Sequence, residues 1–301
     1  MLAIEVPRRF ASLVKIEHTV FALPFAYVGA FLAVDEVPSA HDLVWITLAM
    51  VGARSLAMAL NRLIDAQLDA RNPRTAGREL PAGRLTSEQV VVFCLAALAL
   101  FIAAVTGFCV ASLFVFLVAV WQLDPIVRWL WPIPVVGFVV YPYLKRFTWL
   151  GHFWLGAVDG LAPLGAWAAI RGDLPWEAWA LGGAVAAWVA GFDLFYSLFD
   201  VDVDREQGLH SWATRWGVRG VFRGARALHV GTVCLLVAAG LGLPVGALYW
   251  VGVGVVAALL SYEHLLVRPG DLRRLDAAFF TTNGAISLAF FGFVLADVLV
   301  A

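Results

Sequence analysis

The sequence predicts an all-α polytopic membrane protein. Of its 301 residues 62% are hydrophobic and only 14% charged, whereas a soluble domain carries about 25% charged residues. The mean hydropathy is +0.84. Apolar stretches long enough to span a hydrocarbon core of about 30 Å recur along the chain, separated by polar segments. Such stretches fold as helices, because lipid offers no partner to an unpaired backbone N–H or C=O. The lipid bilayer is therefore the first partner. The net charge of −1 excludes a broad basic field, so no nucleic-acid partner is expected. Cys94, Cys109 and Cys234 lie in apolar runs without metal spacing and read as buried structural thiols.

The elements follow in order. Residues 1–15 form an amphipathic start with Arg8, Arg9 and Lys15. The first span covers residues 16–34 and ends at a turn with Asp35, Glu36 and Pro38. It continues past any small-residue cleavage pattern, so no cleavable signal peptide is expected. The second span covers 41–64. A polar loop, 65–86, follows with Arg71, Arg74, Arg78 and Arg84. Residues 87–121 exceed one straight crossing of about 20 residues. The third span is therefore placed at 87–108, with the remainder bent at Gly107 or lying at the interface. Asp124-Pro125 and Pro132 with Pro134 bracket a loop. A short fourth span, 134–143, ends at Lys145 and Arg146. The fifth and sixth spans are 150–170 and 176–199, and a second long polar loop covers 200–226. Spans 227–243, 245–266 and 277–300 complete nine transmembrane helices in one domain, 1–301. Gly182, Gly183, Gly252 and Gly254 read as close helix packing, because no strand precedes them to form a phosphate loop.

Loop charge sets the orientation. Basic residues crowd the segments after the second, fourth, sixth and eighth spans. The positive-inside rule then puts the N-terminus and residues 65–86 and 200–226 in the cytoplasm, and the C-terminus outside. The expected location is the inner (plasma) membrane.

The second span closes on Asn61, Asp65 and Asp69, spaced i, i+4, i+8. On a helix these share one face, with successive members about 6 Å apart along the axis. The sixth span closes on Asp193, Asp200 and Asp204, spaced seven and four, with Tyr196 and Ser197 on the same face. Asp202 points away from that face and reads as a bystander. Carboxylates and an amide oxygen on one face suit a hard divalent cation. One such motif is compatible with a merely solvated helix end. Two at matching cytoplasmic ends favour a shared ligand, since facing acid clusters repel unless divalent ions intervene. Mg²⁺ uses few protein carboxylates and completes its shell with phosphate oxygens. Both sets are therefore read as holding Mg²⁺, and the Mg²⁺ as holding a diphosphate. Lys145 and Arg146 are the best-placed cations for that diphosphate, with Arg78 and Arg71 as further candidates. Each arginine equally suits an anchor at the membrane surface.

Two charges lie within apolar spans. Arg54 precedes Asn61 by seven residues and shares its face. A charge there faces a partner or a water-filled cavity; pairing with Asp193 and holding a polar acceptor are both open. Asp159, in the fifth span, either pairs with an arginine or lines the cavity. Glu17 and His18 open the first span as candidate pocket lining, Tyr196 is a candidate acceptor contact, and His210 follows the second motif.

Together these segments resemble the UbiA superfamily of intramembrane aromatic prenyltransferases. Asn61 to Asp69 is similar to its NDxxDxxxD motif, with Arg62 in place of the first Asp. Asp200-Val201-Asp202-Val203-Asp204 is similar to its DxxxD motif, with Asp193 seven residues upstream as in quinone-pathway members. Arg78-Glu79-Leu80-Pro81-Ala82-Gly83 and Tyr141-Pro142-Tyr143-Leu144-Lys145-Arg146-Phe147-Thr148 resemble two further segments of that family. Ile16-Glu17-His18-Thr19, Asn72-Pro73-Arg74-Thr75 and Asp204-Arg205-Glu206-Gln207-Gly208 resemble a bacterial 4-hydroxybenzoate polyprenyltransferase-like branch linked to the futalosine route to menaquinone. The departures are Arg62, a long stretch before Asp124, and Asp159 where an apolar residue is expected.

The resemblance implies a nine-helix bundle around a central cavity, two Mg²⁺ ions, and a polyprenyl diphosphate held by the acid motifs. Asp65, Asp69, Asp200 and Asp204 would be the catalytic acids. The acceptor would be an aromatic benzoate, 4-hydroxybenzoate or an aminofutalosine type, and the tail would leave between helices into lipid. The rival reading is a cation-coupled transporter, which would place its acids near the midplane on broken helices. The D-x-x-D-G-x-x-A-R pattern of CDP-alcohol phosphotransferases is absent from the sequence.

Overall fold

The computed structural model describes residues 19–78, 80–100, 130, 132–268 and 281–300. Expectations for Glu17, His18, Glu79, Cys109, Asp124, the remainder of the third span and residues 277–280 lie outside the described residues. The regular elements described are helices. They are α1 (Thr19–Val34), α2 (Ala40–Ile64), α3 (Ala66–Arg71), α4 (Ser87–Leu100), α5 (Pro132–Leu144) and α6 (Gly151–Arg171). After these come α7 (Trp176–Tyr196) with a 3₁₀ turn (Ser197–Phe199), α8 (Val201–Glu206), α9 (Trp212–Gly242), α10 (Ala247–Leu266) and α11 (Asn283–Val300). Among the described residues six helices are each long and apolar enough to cross a membrane, and α1, α4 and α5 are shorter apolar helices. The chain is thus a multi-pass membrane protein.

Local chemistry sets the boundaries. Ser39 caps α2 by accepting the Asp42 N–H at 3.1 Å. Gly172, at φ 71°, closes α6 in the left-handed conformation that suits glycine. Ser211 and Thr214 form a reciprocal capping box that opens α9.

From α5 onward the apolar helices pack in turn, α5 on α6, α6 on α7, α7 on α9, α9 on α10 and α10 on α11. α1 packs on α11, α2 and α6, and α2 packs on α5. Phe25, Trp167, Leu181, Trp188, Leu236, Tyr249, Ile286 and Phe290 fill the centre. Lipid is as apolar as these side chains, so close packing rather than water exclusion holds the bundle. Glycines make this possible where α6 crosses α7. A Cβ on Gly156 would lie 2.2 Å from the Ala186 carbonyl oxygen, and one on Gly160 would lie 2.5 Å from that of Gly182. Val92, Leu241 and Leu265 point outward, as a lipid-facing surface requires.

Four expectations need correction. Residues 200–226 are largely helical: α8 and the first turns of α9 occupy them. There Arg215, Arg219, Arg223 and Arg226 are exposed while Ala213, Val221, Phe222 and Ala225 are buried, so the charge marks the polar face of an amphipathic helix. The segment 65–86 likewise contains α3. Cys234 is exposed rather than buried, because its side of α9 faces outward. Gly252 is pressed against Phe293, but Gly254 has open space where its Cβ would lie, so close packing explains only the former.

Candidate active site

The two acid motifs meet in one cavity of about 290 Å³. Asn61, Asp65 and Asp69 reach it from the end of α2 and from α3, and Asp193, Asp200 and Asp204 from the end of α7 and from α8. The helix bends at Asp65 (φ −95°, ψ 5°) yet keeps its hydrogen-bond ladder, Asp65 N–H to Asn61 O at 3.0 Å and Asp69 N–H to Asp65 O at 2.8 Å. The i, i+4, i+8 face therefore survives the junction. Across the cavity the 3₁₀ turn links Asp193 to Asp200, and the Asp204 N–H bonds Asp200 O at 2.7 Å. The acids sit at helix ends, not at breaks within spans.

Each of four carboxylates is held by a basic side chain. Lys145 Nζ lies 2.6 Å from Asp65 Oδ2, and Arg146 Nη2 lies 3.3 Å from Asp65 Oδ1. Arg78 Nη1 donates to Asp69 Oδ2 at 2.6 Å. Buried Arg62 lies beside the same carboxylate, its Nη1 4.0 Å from Asp69 Oδ2. Arg74 grips Asp200 through Nε, at 3.0 Å, and through Nη2. It also donates to the Tyr196 hydroxyl at 2.8 Å, with its guanidinium over the rings of Tyr196 and Phe199. Asn72 adds a bond to Asp200 Oδ1 at 2.7 Å. His152 Nδ1 lies 2.6 Å from Asp193 Oδ2, and its Nε2 accepts the Trp212 backbone N–H at 3.3 Å. Burial raises the Asp65 carboxyl above its ordinary value despite Lys145 and Arg146. Burial, then the charge of Asp200, pushes Asp204 up to about 6.

The remaining candidates divide. Lys145, Arg78, Arg54, Tyr196 and Asp159 line the cavity. Arg146 reaches it through Asp65 rather than by lining it. Arg71 ends α3 exposed and away from the cavity. Arg54 does not pair with Asp193; its Nη1 donates to Asp159 Oδ1 at 3.0 Å, and His152 takes Asp193 instead. Asp202 is exposed and lies 3.6 Å from Arg205, as a bystander should. Arg74, Asn72 and His152 are cavity residues that sequence reasoning missed.

The donor set fits a hard divalent cation. All its members are carboxylate or amide oxygens facing one space. Among the described residues no three acidic, His or Cys side chains form a closed metal cage. Mg²⁺ does not need one, since it keeps waters and substrate phosphate in its shell.

The sequence matches the UbiA prenyltransferase family over residues 22–291. It is 30% identical over 277 residues to the 4-hydroxybenzoate octaprenyltransferase of Aliivibrio salmonicida (strain LFI1238), covering 92% of this chain and 89% of that protein. A UbiA homolog from Aeropyrum pernix K1, solved in its apo form, shares the fold with a TM-score of 0.80 at 30% identity, over 94% of this chain and 98% of that one. A UbiA homolog from Archaeoglobus fulgidus, solved bound to GPP and Mg²⁺, shares the fold with a TM-score of 0.69 at 17% identity, over 97% and 99%. The chain is a membrane prenyltransferase and belongs to the UbiA prenyltransferase family.

Proposed function

We propose that the protein transfers a polyprenyl group from polyprenyl diphosphate to an aromatic acceptor of the benzoate type, in menaquinone or ubiquinone synthesis, at the cytoplasmic side of the inner membrane. The observation that carries this reading is the cavity itself. It sets six oxygen-donor side chains from two helix ends against Lys145, Arg74 and Arg78, and it continues between apolar helices. Acids alone would suit a cation, and bases alone an anion. Both together suit a metal–diphosphate. The relatives named for 4-hydroxybenzoate octaprenyl transfer, and the homolog solved with GPP and Mg²⁺, support the same substrate classes.

Asn61, Asp65, Asp69, Asp193, Asp200 and Asp204 would hold Mg²⁺, two ions in this reading. Bound Mg²⁺ would supply neutralisation of the charge that develops on the leaving diphosphate. Lys145, Arg74 and Arg78 bind the diphosphate oxygens and favour departure, since they stabilise charge that grows in the transition state. For this they exchange their carboxylate partners for phosphate. The apolar walls, Phe138, Trp188 and Phe192 among them, keep water from the developing allylic cation. The acceptor ring attacks that carbon and then loses a proton.

Purified protein with Mg²⁺, radiolabelled polyprenyl diphosphate and a panel of benzoate-type acceptors should yield a lipid-soluble prenylated aromatic. Asp65→Ala and Asp200→Ala should each lower turnover by about 100-fold or more with the fold intact. Folded protein that gives no product with any acceptor overturns the reading. Full activity in both variants removes the metal assignment.

A further inference from the structure

Two chambers meet at one ion pair. Beside the polar cavity lies a second, largely apolar chamber of about 210 Å³, bounded by Trp45, Met50, Leu161 and Trp179 among others. Arg54 and Asp159 line both chambers. They belong to α2 and α6, each apolar enough to cross the membrane. The Arg54 Nη1 to Asp159 Oδ1 bond is 3.0 Å, and the two side chains are 20% and 14% exposed. Either charge alone within a span is costly, and each offsets the other.

The bonding of the pair leaves a defined pattern. Arg54 Nε is buried without a partner among the described residues, so that side of the guanidinium is closed to a ligand. Nη1 is committed to Asp159. Nη2 and Asp159 Oδ2 make no hydrogen bond among the described residues. The neck thus offers the Nη2 amino group as donor and Asp159 Oδ2 as acceptor, with no net charge.

We propose that the Arg54–Asp159 pair is the acceptor-selecting element, which takes an uncharged hydrogen-bonding substituent on the aromatic ring (hydroxyl, amino or carboxamide) and turns away a carboxylate. An arginine alone would do the opposite, because its fork of parallel N–H groups matches a carboxylate. With Asp159 bound, an incoming carboxylate has one oxygen facing another anion in a poorly screened site. A hydroxyl or carboxamide donates to Oδ2 and accepts from Nη2. A benzoate-type acceptor then enters with its neutral substituent at the pair and its carboxylate away from it. The inference rests on the transfer reading for its claim that the cavity receives an aromatic acceptor.

Binding of single-substituent rings tests it without turnover. The full-length protein in detergent, with Mg²⁺ and a prenyl thiodiphosphate, is titrated with benzamide, phenol and benzoate, and tryptophan fluorescence is followed. Wild type should bind benzamide and phenol about tenfold or more tightly than benzoate. Asp159→Asn leaves Arg54 without its anion, and should shift the benzoate-to-benzamide ratio toward benzoate by about tenfold. The double variant Arg54→Met with Asp159→Leu removes both charges and should bring the ratio to within about twofold of unity; it serves equally if the single variant fails to fold. Equal or tighter benzoate binding by wild type overturns the proposal. So does an unchanged ratio in the folded variants, or no binding of any probe by folded wild type. Selective binding without prenylated product would overturn the transfer reading and leave the selection standing. Product without selective binding would do the reverse.

Discussion

At the residue scale the site is a set of ion pairs between buried or half-buried acids and basic side chains. Asp65 is 3% exposed and its counter-charges are Lys145 and Arg146. Replacing Lys145 with Met leaves that carboxylate with Arg146 alone. Removing one partner of a buried pair costs up to about 3–5 kcal/mol, and less here because Lys145 is 35% exposed. The melting temperature of Lys145→Met should therefore fall by several degrees without Mg²⁺. The deficit should shrink when Mg²⁺ is added, since a bound cation replaces the missing charge; a deficit that ignores Mg²⁺ would detach Asp65 from the metal. Asp204 gives a second test. Its folded-state value of about 6 lies above the ordinary 3.8, so between these values the folded protein holds a proton that the unfolded chain has released. Stability from this group is therefore present below pH 3.8 and lost as pH rises toward 6. Mg²⁺ must displace that same proton. Thermal stabilisation by Mg²⁺ should be large at pH 7 and small at pH 5, and an equal shift at both would exclude Asp204 as a ligand. The acids were legible in the sequence because helical spacing alone sets their face. Arg74 and His152 were not. Arg74 is one of four arginines in one polar segment, and its partner Asp200 lies 126 positions away. His152 finds Asp193 41 positions away. Pairings of that kind are set by which helices pack, and no local period encodes them.

At the element scale the spans were legible and the ends less so. Residues 176–199 and α10 match their predicted spans closely, since length and apolarity define a crossing. The start of α9 reads as loop from its arginines, although Arg215, Arg219, Arg223 and Arg226 recur at helical spacing. The period, not the charge, was the informative signal. Gly217 (φ 65°, ψ −176°) lies within that helix and breaks the pattern at the point where the chain kinks. Glycines also decide how closely spans approach. Gly160→Leu puts a side chain against the Gly182 carbonyl, where even a Cβ would lie 2.5 Å away. It should destabilise by about 1–3 kcal/mol or more, read as a lower melting temperature in detergent. Gly165 lies on the same helix with open space at its Cβ position. Gly165→Ala should be neutral, or stabilising by up to about 1 kcal/mol, through helix propensity alone. If both variants melt like wild type, the α6–α7 contact is not what holds these spans.

At the scale of the whole molecule, loop charge predicts an orientation and the cavity constrains which helix ends share a side. Loop charge predicts that the ends of α2, α5 and α7 face the cytoplasm. Part of that charge is committed within the cavity, Arg74 to Asp200 and Arg78 to Asp69. Arg71, Arg215, Arg219, Arg223 and Arg226 remain exposed to anchor the bundle. Geometry adds a constraint that charge counting lacks. Asp65, Lys145 and Asp200 line one cavity, so α2, α5 and α7 must end on the same side, and α6 must begin there, since His152 lines it too. The Asp173 turn between α6 and α7 then belongs to the opposite side. Single cysteines in a background without the native three can test this on intact cells with a membrane-impermeant maleimide. Asp173→Cys should label from outside, and Arg219→Cys only after lysis. Val300→Cys should also label from outside if the chain crosses nine times, and only after lysis if the number of crossings is even. Reversal of the first two would put the proposed diphosphate site on the outer face, away from any cytoplasmic supply of prenyl diphosphate. A reversal at residue 300 alone would leave the site where it is and change only the count of spans.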